Sequence, residues 1–170
     1  MQAEDNVGNQ LDRSTIAYRV VVGDLKPPRS SLEAMGPKSG GGFGEGTVYV
    51  TSGTVFNLAS NDDLADIGDT LGNGAVAQSV LLDDVLLLRP QNPSPSRGVV
   101  FISTFSLGSG PEGLRVLSYY AQDAFNNREA VKVSTIAVDN TAPTLIFEFP
   151  LADSWVNTTR PRVRISYTDP

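Results

Sequence analysis

Short stretches in which apolar and polar residues alternate run through most of the chain, separated by clusters of Gly, Pro, Asn and Asp. This alternation predicts β-strands, because successive side chains of a strand point to opposite faces of its sheet. The clearest case is residues 99–107, where Val99, Phe101, Phe105 and Leu107 share one face. We predict ten strands, at residues 15–22, 47–51, 54–60, 75–82, 85–89, 99–107, 114–122, 130–138, 145–149 and 162–167.

Helical periodicity is weak along the whole chain. Residues 61–71 are predicted to be a loop with at most one helical turn, since the apolar run there is short and acidic. The glycine-rich segment 30–46 and the proline-rich segment 90–98 are predicted to be surface loops. The sequence therefore predicts an all-β protein, with a core that includes Val99, Phe101, Phe105, Leu117 and Val138.

Two pairs of similar segments indicate an internal repeat. Residues 3–10 are similar to residues 121–128, and residues 23–28 are similar to residues 138–143 in the same order. Self-similarity of this kind is typical of chains built from repeated structural units.

A looser similarity links residues 49–62 with residues 155–169. Together the matches divide the chain into a complete unit and two partial ones. We expect the C-terminal strands of a preceding unit with a linker at 1–28, a complete unit at 29–143, and the opening strands of a following unit at 144–170.

Three motifs resemble the junctions between bacterial immunoglobulin-like repeats of large surface proteins. They are Asp-Ala-Phe-Asn-Asn at 123–127 after an aromatic strand, Val-Asp-Asn-Thr-Ala-Pro at 138–143, and Pro-Leu-Ala-Asp-Ser-Trp-Val-Asn-Thr-Thr-Arg-Pro at 150–161. Asn126 stands where these repeats usually carry glycine, and asparagine tolerates a positive φ next best. The resemblance implies an immunoglobulin-like Greek-key β-sandwich.

The same resemblance implies a non-catalytic structural spacer or adhesive segment, located outside the cell or at its surface within a longer exported chain. The expected partners are neighbouring repeats or copies of the chain itself, met through strand edges, and a cell-surface or polysaccharide ligand. The first ten residues lack the basic head and apolar segment of a secretory signal. A carbohydrate-binding or accessory module of a secreted enzyme is the alternative.

The amino-acid composition excludes several classes of catalytic and metal site. The 170 residues include no histidine and no cysteine, which excludes Ser-His-Asp and Cys-His catalysis, disulfides and the usual zinc sites. A net charge of -6 argues against nucleic acid as a partner, and no apolar run approaches the roughly 20 residues of a membrane helix. We expect no catalytic activity, no membrane insertion, and cations as the natural small ligands.

Aspartates recur at the ends of the repeated segments, as the pairs Asp5 and Asp24, and Asp123 and Asp139. A further group of four begins at Asp62. Calcium prefers several carboxylate and carbonyl oxygens, so these five residues are candidate Ca²⁺ ligands near the joints between units. The group at Asp62 does not match an EF-hand. Aspartates that form turns by bonding their own backbone are the alternative.

Overall fold

The structure of the chain, a computed structural model, describes residues 23–62 and 72–169. The predicted strand at 15–22 and most of the predicted loop at 61–71 lie outside this range. The described residues form eleven strands and no helix, and hence no helix that could cross a lipid bilayer. The strands are β1 Arg29–Met35, β2 Lys38–Gly40, β3 Val48–Val50, β4 Val55–Asn61, β5 Ala75–Leu82, β6 Val85–Leu88, β7 Phe101–Phe105, β8 Gly113–Asp123, β9 Lys132–Val138, β10 Thr144–Phe149 and β11 Arg164–Thr168.

The first nine strands form two sheets that face each other. One has the order β1-β4-β7, and the other has the order β2-β3-β9-β8-β5-β6. All neighbours are antiparallel except β3 and β9. The chain changes sheet five times, between β1 and β2, β3 and β4, β4 and β5, β6 and β7, and β7 and β8, which is the Greek-key connectivity of an immunoglobulin-like sandwich. The predicted fold class is confirmed.

The core lies between the two sheets and follows from strand alternation. Phe56, Leu58, Val80, Leu117 and Ile136 are completely buried, and they come from both sheets. The ring of Phe56 stacks on that of Phe105 with centroids 5.1 Å apart. Burial of these side chains supplies the main favourable term in the folding free energy.

A buried glutamine links the two sheets at the centre of this core. The Gln78 side-chain nitrogen, from β5, lies within 3.0 Å of three acceptors in the opposite sheet, namely Leu58 O, Ser60 Oγ and Phe101 O. Ser103 Oγ donates to the side-chain oxygen of Gln78. The amide is therefore fully bonded, as a polar group without access to water must be.

One prediction about the first part of the chain is wrong. Residues 30–46 were expected to be a loop but contain β1 and β2. Strand β1 buries Ser30, Leu32 and Ala34 in alternation, and the serine and the following Gly36 hide that pattern in the sequence. Serine can occupy an inward position because the buried Glu129 carboxylate accepts hydrogen bonds from its backbone N–H and its hydroxyl.

The predicted core is confirmed at Leu117 and Val138, and Phe105 packs against it. Val99 is not in the core, because 54% of its surface is exposed. The strand predicted from residue 99 begins at Phe101, after Gly98 adopts a φ of 68°. The Val99 N–H donates to Ser96 O at 3.1 Å and closes a turn, so Val99 belongs to this turn and not to the strand.

The turn between β5 and β6 rests on an ionised carboxylate. Asp83 and Asp84 both have positive φ, 48° and 64°, as a two-residue hairpin turn requires. Asp83 Oδ1 accepts a hydrogen bond from Val116 N at 2.8 Å, and Arg115 pairs with the other oxygen. The Val116 N–H, and then the Arg115 guanidinium, lower the pKa of Asp83 below its usual 3.8.

Because the pKa of Asp83 is lower in the folded chain than in the unfolded chain, its ionised form stabilises the fold above pH 3.8. This contribution is lost as the pH falls through the folded-state pKa. The variant Asp83→Asn is therefore expected to melt below the wild type near neutral pH, with the difference vanishing in stronger acid. Melting curves across the acid range measure this, and a difference that does not change with pH would contradict it.

Candidate metal centre

Three buried aspartates meet at one end of the sandwich. One carboxylate oxygen each of Asp24, Asp62 and Asp123 lies within 4.8 Å of the other two. Asp24 precedes β1, Asp62 directly follows β4, and Asp123 is the last residue of β8. Their exposed fractions are only 3%, 1% and 2%. We call these three residues the aspartate cluster.

Asp123 is held by the turn that follows β8. Its Oδ1 accepts hydrogen bonds from the backbone N–H groups of Phe125 and Asn127, each at 2.8 Å. Its Oδ2 accepts from the side-chain nitrogen of Asn127, also at 2.8 Å. Asn126 takes the left-handed conformation in this turn, with a φ of 67°, which accounts for the tolerance of asparagine at the position.

Asp62 is held by the backbone that leads into β5. Its Oδ2 accepts from Asn73 N at 3.1 Å and from Gly74 N at 2.9 Å. Gly74 has a φ of 89°, and a Cβ at this position would lie 2.4 Å from Ser96 N, so only glycine fits.

Asp24 is joined to the cluster through the Asp123 turn. Asn127 donates from its side-chain nitrogen both to Asp123 and to the backbone oxygen of Asp24, the latter at 3.0 Å. Asp24 Oδ1 also accepts from Lys26 N at 2.9 Å. The chain then enters β1 through the fully buried Pro28. Asp24 and Pro28 therefore anchor the entry segment 23–28 to the sandwich, while the residues between them are exposed.

The cluster concentrates negative charge where water is scarce. Burial raises the pKa of Asp62 above 3.8, and the nearby charges of Asp24 and Asp123 raise it further. The N–H groups of Gly74 and Asn73 act in the opposite direction but do not outweigh these effects. A hard divalent cation would relieve the repulsion and use the oxygens, since Ca²⁺ takes six to eight oxygen ligands.

The structure separates the candidate ligand Asp139 from this cluster. Asp139 is exposed and follows β9, whose last residue pairs with the first residue of β8. Asp123 ends β8, so the two aspartates of the predicted pair lie at opposite ends of the sandwich, roughly 30 Å apart along that strand. Asp139 Oδ1 accepts from Thr141 N at 3.0 Å, which is a turn-forming role. Asp5 lies outside the described residues.

Sequence reasoning selected Asp24, Asp62 and Asp123 but did not group them. Local spacing carries no signal for a site whose residues come from three distant segments. The sequence analysis also missed Glu129. This buried carboxylate accepts hydrogen bonds from Ala121 N at 2.8 Å and from Lys132 Nζ at 2.7 Å. Glu129 serves the packing of β1, because its other partner is Ser30.

The aromatic side chains of the described residues differ in their surroundings. Tyr119 is buried while Tyr120 is half-buried beneath the Arg128 guanidinium, 4.5 Å from the ring centroid, as alternation along β8 predicts. Phe43 packs on Phe56 at the edge of the core. Trp155 is fully exposed.

Comparisons with known proteins yield only distant structural likenesses. No protein-family model and no curated protein matches the sequence. The PKD domain of an M14-like peptidase from a Thermoplasmatales archaeon is 13% identical, with a TM-score of 0.40 over 66% of this chain and 96% of that domain. Fibronectin(III)-like modules of CbhA from Clostridium thermocellum are 11% identical, with a TM-score of 0.36 over 64% and 96%.

A lytic polysaccharide monooxygenase from Jonesia denitrificans is 13% identical, with a TM-score of 0.38 over 54% of this chain. The match spans 56% of the monooxygenase. Identities and TM-scores this low carry no information about activity or ligand.

We expect the chain to become more stable when one charge of the aspartate cluster is removed. In the presence of a chelator, Asp62→Asn is expected to raise the melting temperature by a few degrees, because it removes one of three repelling charges and keeps an acceptor oxygen. Asp139→Asn, at the other end of the sandwich, is the matched control and should leave the melting temperature unchanged. A lower melting temperature for Asp62→Asn in chelator would contradict the repulsion.

Proposed function

We propose that this chain is a non-catalytic, extracellular immunoglobulin-like module that serves as a structural spacer or adhesive segment of a bacterial surface protein. Residues 1–28 and 144–170 belong, in this proposal, to the neighbouring units of a series. Antibodies against the chain are expected to label intact cells of the source organism. Labelling only after permeabilisation would contradict the proposal.

The observation that carries this proposal is the connection between β9 and β10. Residues 139–143 are tied to the sandwich by hydrogen bonds. Glu112 accepts from Asn140 N at 2.8 Å and from the Thr141 hydroxyl at 2.9 Å. Ser52 N donates to Asn140 Oδ1 at 2.8 Å. A short connector with this many fixed groups, ended by Pro143, favours a stiff joint.

The chain beyond this joint starts a separate sheet. Strands β10 and β11 pair with each other and, among the described residues, with no strand of the sandwich. Leu145, Phe147, Ile165 and Tyr167 are all exposed on this hairpin. An isolated two-stranded hairpin is marginally stable in water. This supports the proposal that the hairpin opens a further unit.

We also propose that the aspartate cluster binds Ca²⁺ at the joint that precedes β1. The cluster includes Asp24 from the entry segment and two residues from the ends of β4 and β8. A cation held by all three would fix the entry segment to the sandwich, as the hydrogen bonds of Glu112 fix the exit segment. Both ends of the module would then be stiff, which suits a spacer.

The joint after β9 is tested by removing its main acceptor. Glu112→Ala is expected to lower the backbone order parameters of Asn140 and Thr141 from about 0.85 toward the flexible range below about 0.6, measured by ¹⁵N relaxation. Glu33→Ala, an exposed change in β1, is the control. Unchanged order parameters in Glu112→Ala would show that Glu112 does not stiffen the joint.

The calcium proposal predicts a metal-dependent stability. Saturating Ca²⁺, at 100 times its dissociation constant, is expected to add about 2.7 kcal/mol to the free energy of unfolding. This shift should be present in the wild type and in Asp139→Asn, and absent in Asp62→Asn. Superimposable melting curves of the wild type with millimolar Ca²⁺ and with chelator would contradict it.

A further inference from the structure

One edge of the six-stranded sheet is apolar and unprotected. Strand β6 pairs with β5 on one side only and reads Val-Leu-Leu-Leu. Val85, Leu86 and Leu87 are 70%, 56% and 36% exposed. An edge strand of this composition presents unpaired backbone groups together with apolar side chains, which favours pairing with another strand.

Two of the other edge strands of the sandwich, β1 and β2, carry features that oppose such pairing. Strand β2, at the far edge of the same sheet, has three residues and includes Lys38 and Gly40. Strand β1 carries Arg29 and Glu33 on its exposed face. Strand β7 has only Ile102 as a large exposed apolar side chain between half-buried neighbours. Charges on an edge are a usual protection against association. Neither β6 nor β7 has a charge within the strand, but only β6 exposes three consecutive large apolar side chains.

The charges that flank β6 favour a second copy of the same strand as its partner. Asp83 and Asp84 precede the strand, while Arg89 follows it and Pro90 ends it. Asp84 and Arg89 make no ion pair within the described part of the chain. Antiparallel pairing of two copies brings Arg89 of each next to the aspartates of the other, whereas parallel pairing would put like charges together.

We propose that two copies of this chain associate through antiparallel pairing of their β6 strands, about a two-fold axis that places Leu86 of one copy opposite Leu86 of the other. The two six-stranded sheets then form one continuous sheet, with Leu86 of both copies close to the axis. A two-fold axis makes the contact self-complementary and closed, so the association ends at a dimer. The edge offers four residues per copy, so the dimer is weak and depends on concentration.

The test is sedimentation velocity of the full chain over about two decades of concentration, with dissociation constants compared among variants. Leu86→Lys places two like charges near the axis and is expected to weaken the dimer about tenfold or more. Ile102→Lys, at the exposed edge strand of the other sheet, is the matched control and should change the constant less than about twofold.

The variant Arg89→Glu tests whether charge attraction between the two copies, in addition to apolar contact, stabilises the dimer. The wild-type dimer is expected to weaken with added salt, because salt screens the attraction between Arg89 and the partner's aspartates. In Arg89→Glu the dimer should be weaker at low salt and recover as salt is added. The same salt dependence in wild type and variant would overturn the proposed pairing.

Disulfide cross-linking through an introduced cysteine gives a second measurement, which can detect the dimer even when its dissociation constant is high. The chain has no cysteine, so a single introduced thiol reports on one position. Across an antiparallel pair, opposing Cβ atoms lie about 4.5–5.5 Å apart, close to disulfide range. Leu86→Cys is expected to form disulfide dimers at least about tenfold faster than Ile102→Cys under mild oxidation.

Three outcomes would overturn the proposal. The first is a strictly monomeric wild type across the whole concentration range. The second is a dimer abolished by Ile102→Lys and unaffected by Leu86→Lys. The third is a dimer abolished by Phe147→Lys alone, which would assign association to the β10–β11 hairpin instead. None of these results bears on the calcium site or on the joint after β9, so they leave the proposed function standing.

Discussion

Mutual repulsion among three buried carboxylates is the constraint that organises one end of this molecule. Asp24, Asp62 and Asp123 come from three separate segments, and each would be more stable apart from the others in water. The fold brings them together by supplying backbone N–H donors to each carboxylate. These donors compensate part of the cost, yet the pKa of Asp62 remains raised. A bound cation would neutralise the repulsion among the three carboxylates and connect the three segments that carry them.

The segments that enter and leave the sandwich are fixed to it by different kinds of contact. At the exit, Glu112 holds Asn140 and Thr141 through neutral donors, so the connector is ordered by hydrogen bonds alone. At the entry, the contacts converge on charged groups, and Asn127 bridges Asp123 to the backbone of Asp24. Under the calcium proposal, order at the entry depends on the surrounding medium, while order at the exit does not.

Much of the fold could be predicted from the sequence, because alternation such as that of β4, which buries Phe56, Leu58 and Ser60, shows without long-range information. Strand β1 could not be predicted, since its inward Ser30 is stable only beside Glu129, a contact invisible in local sequence. Val99 shows the opposite error: it fits the alternation of the residues that follow it, yet its N–H closes a turn with Ser96 O and the strand begins only at Phe101. The aspartates were visible singly, but grouping Asp62 with Asp123 requires knowing that β4 and β8 end together.

The central claim is that the aspartate cluster holds one calcium ion, and calorimetric titration of the full chain with Ca²⁺ tests it most directly. We predict one ion bound per chain in the wild type, and loss of that binding in Asp123→Asn while the far-UV spectrum stays that of a β-sandwich. Asp139→Asn should bind as the wild type does. Absence of binding to the folded wild type at millimolar Ca²⁺ would contradict the account.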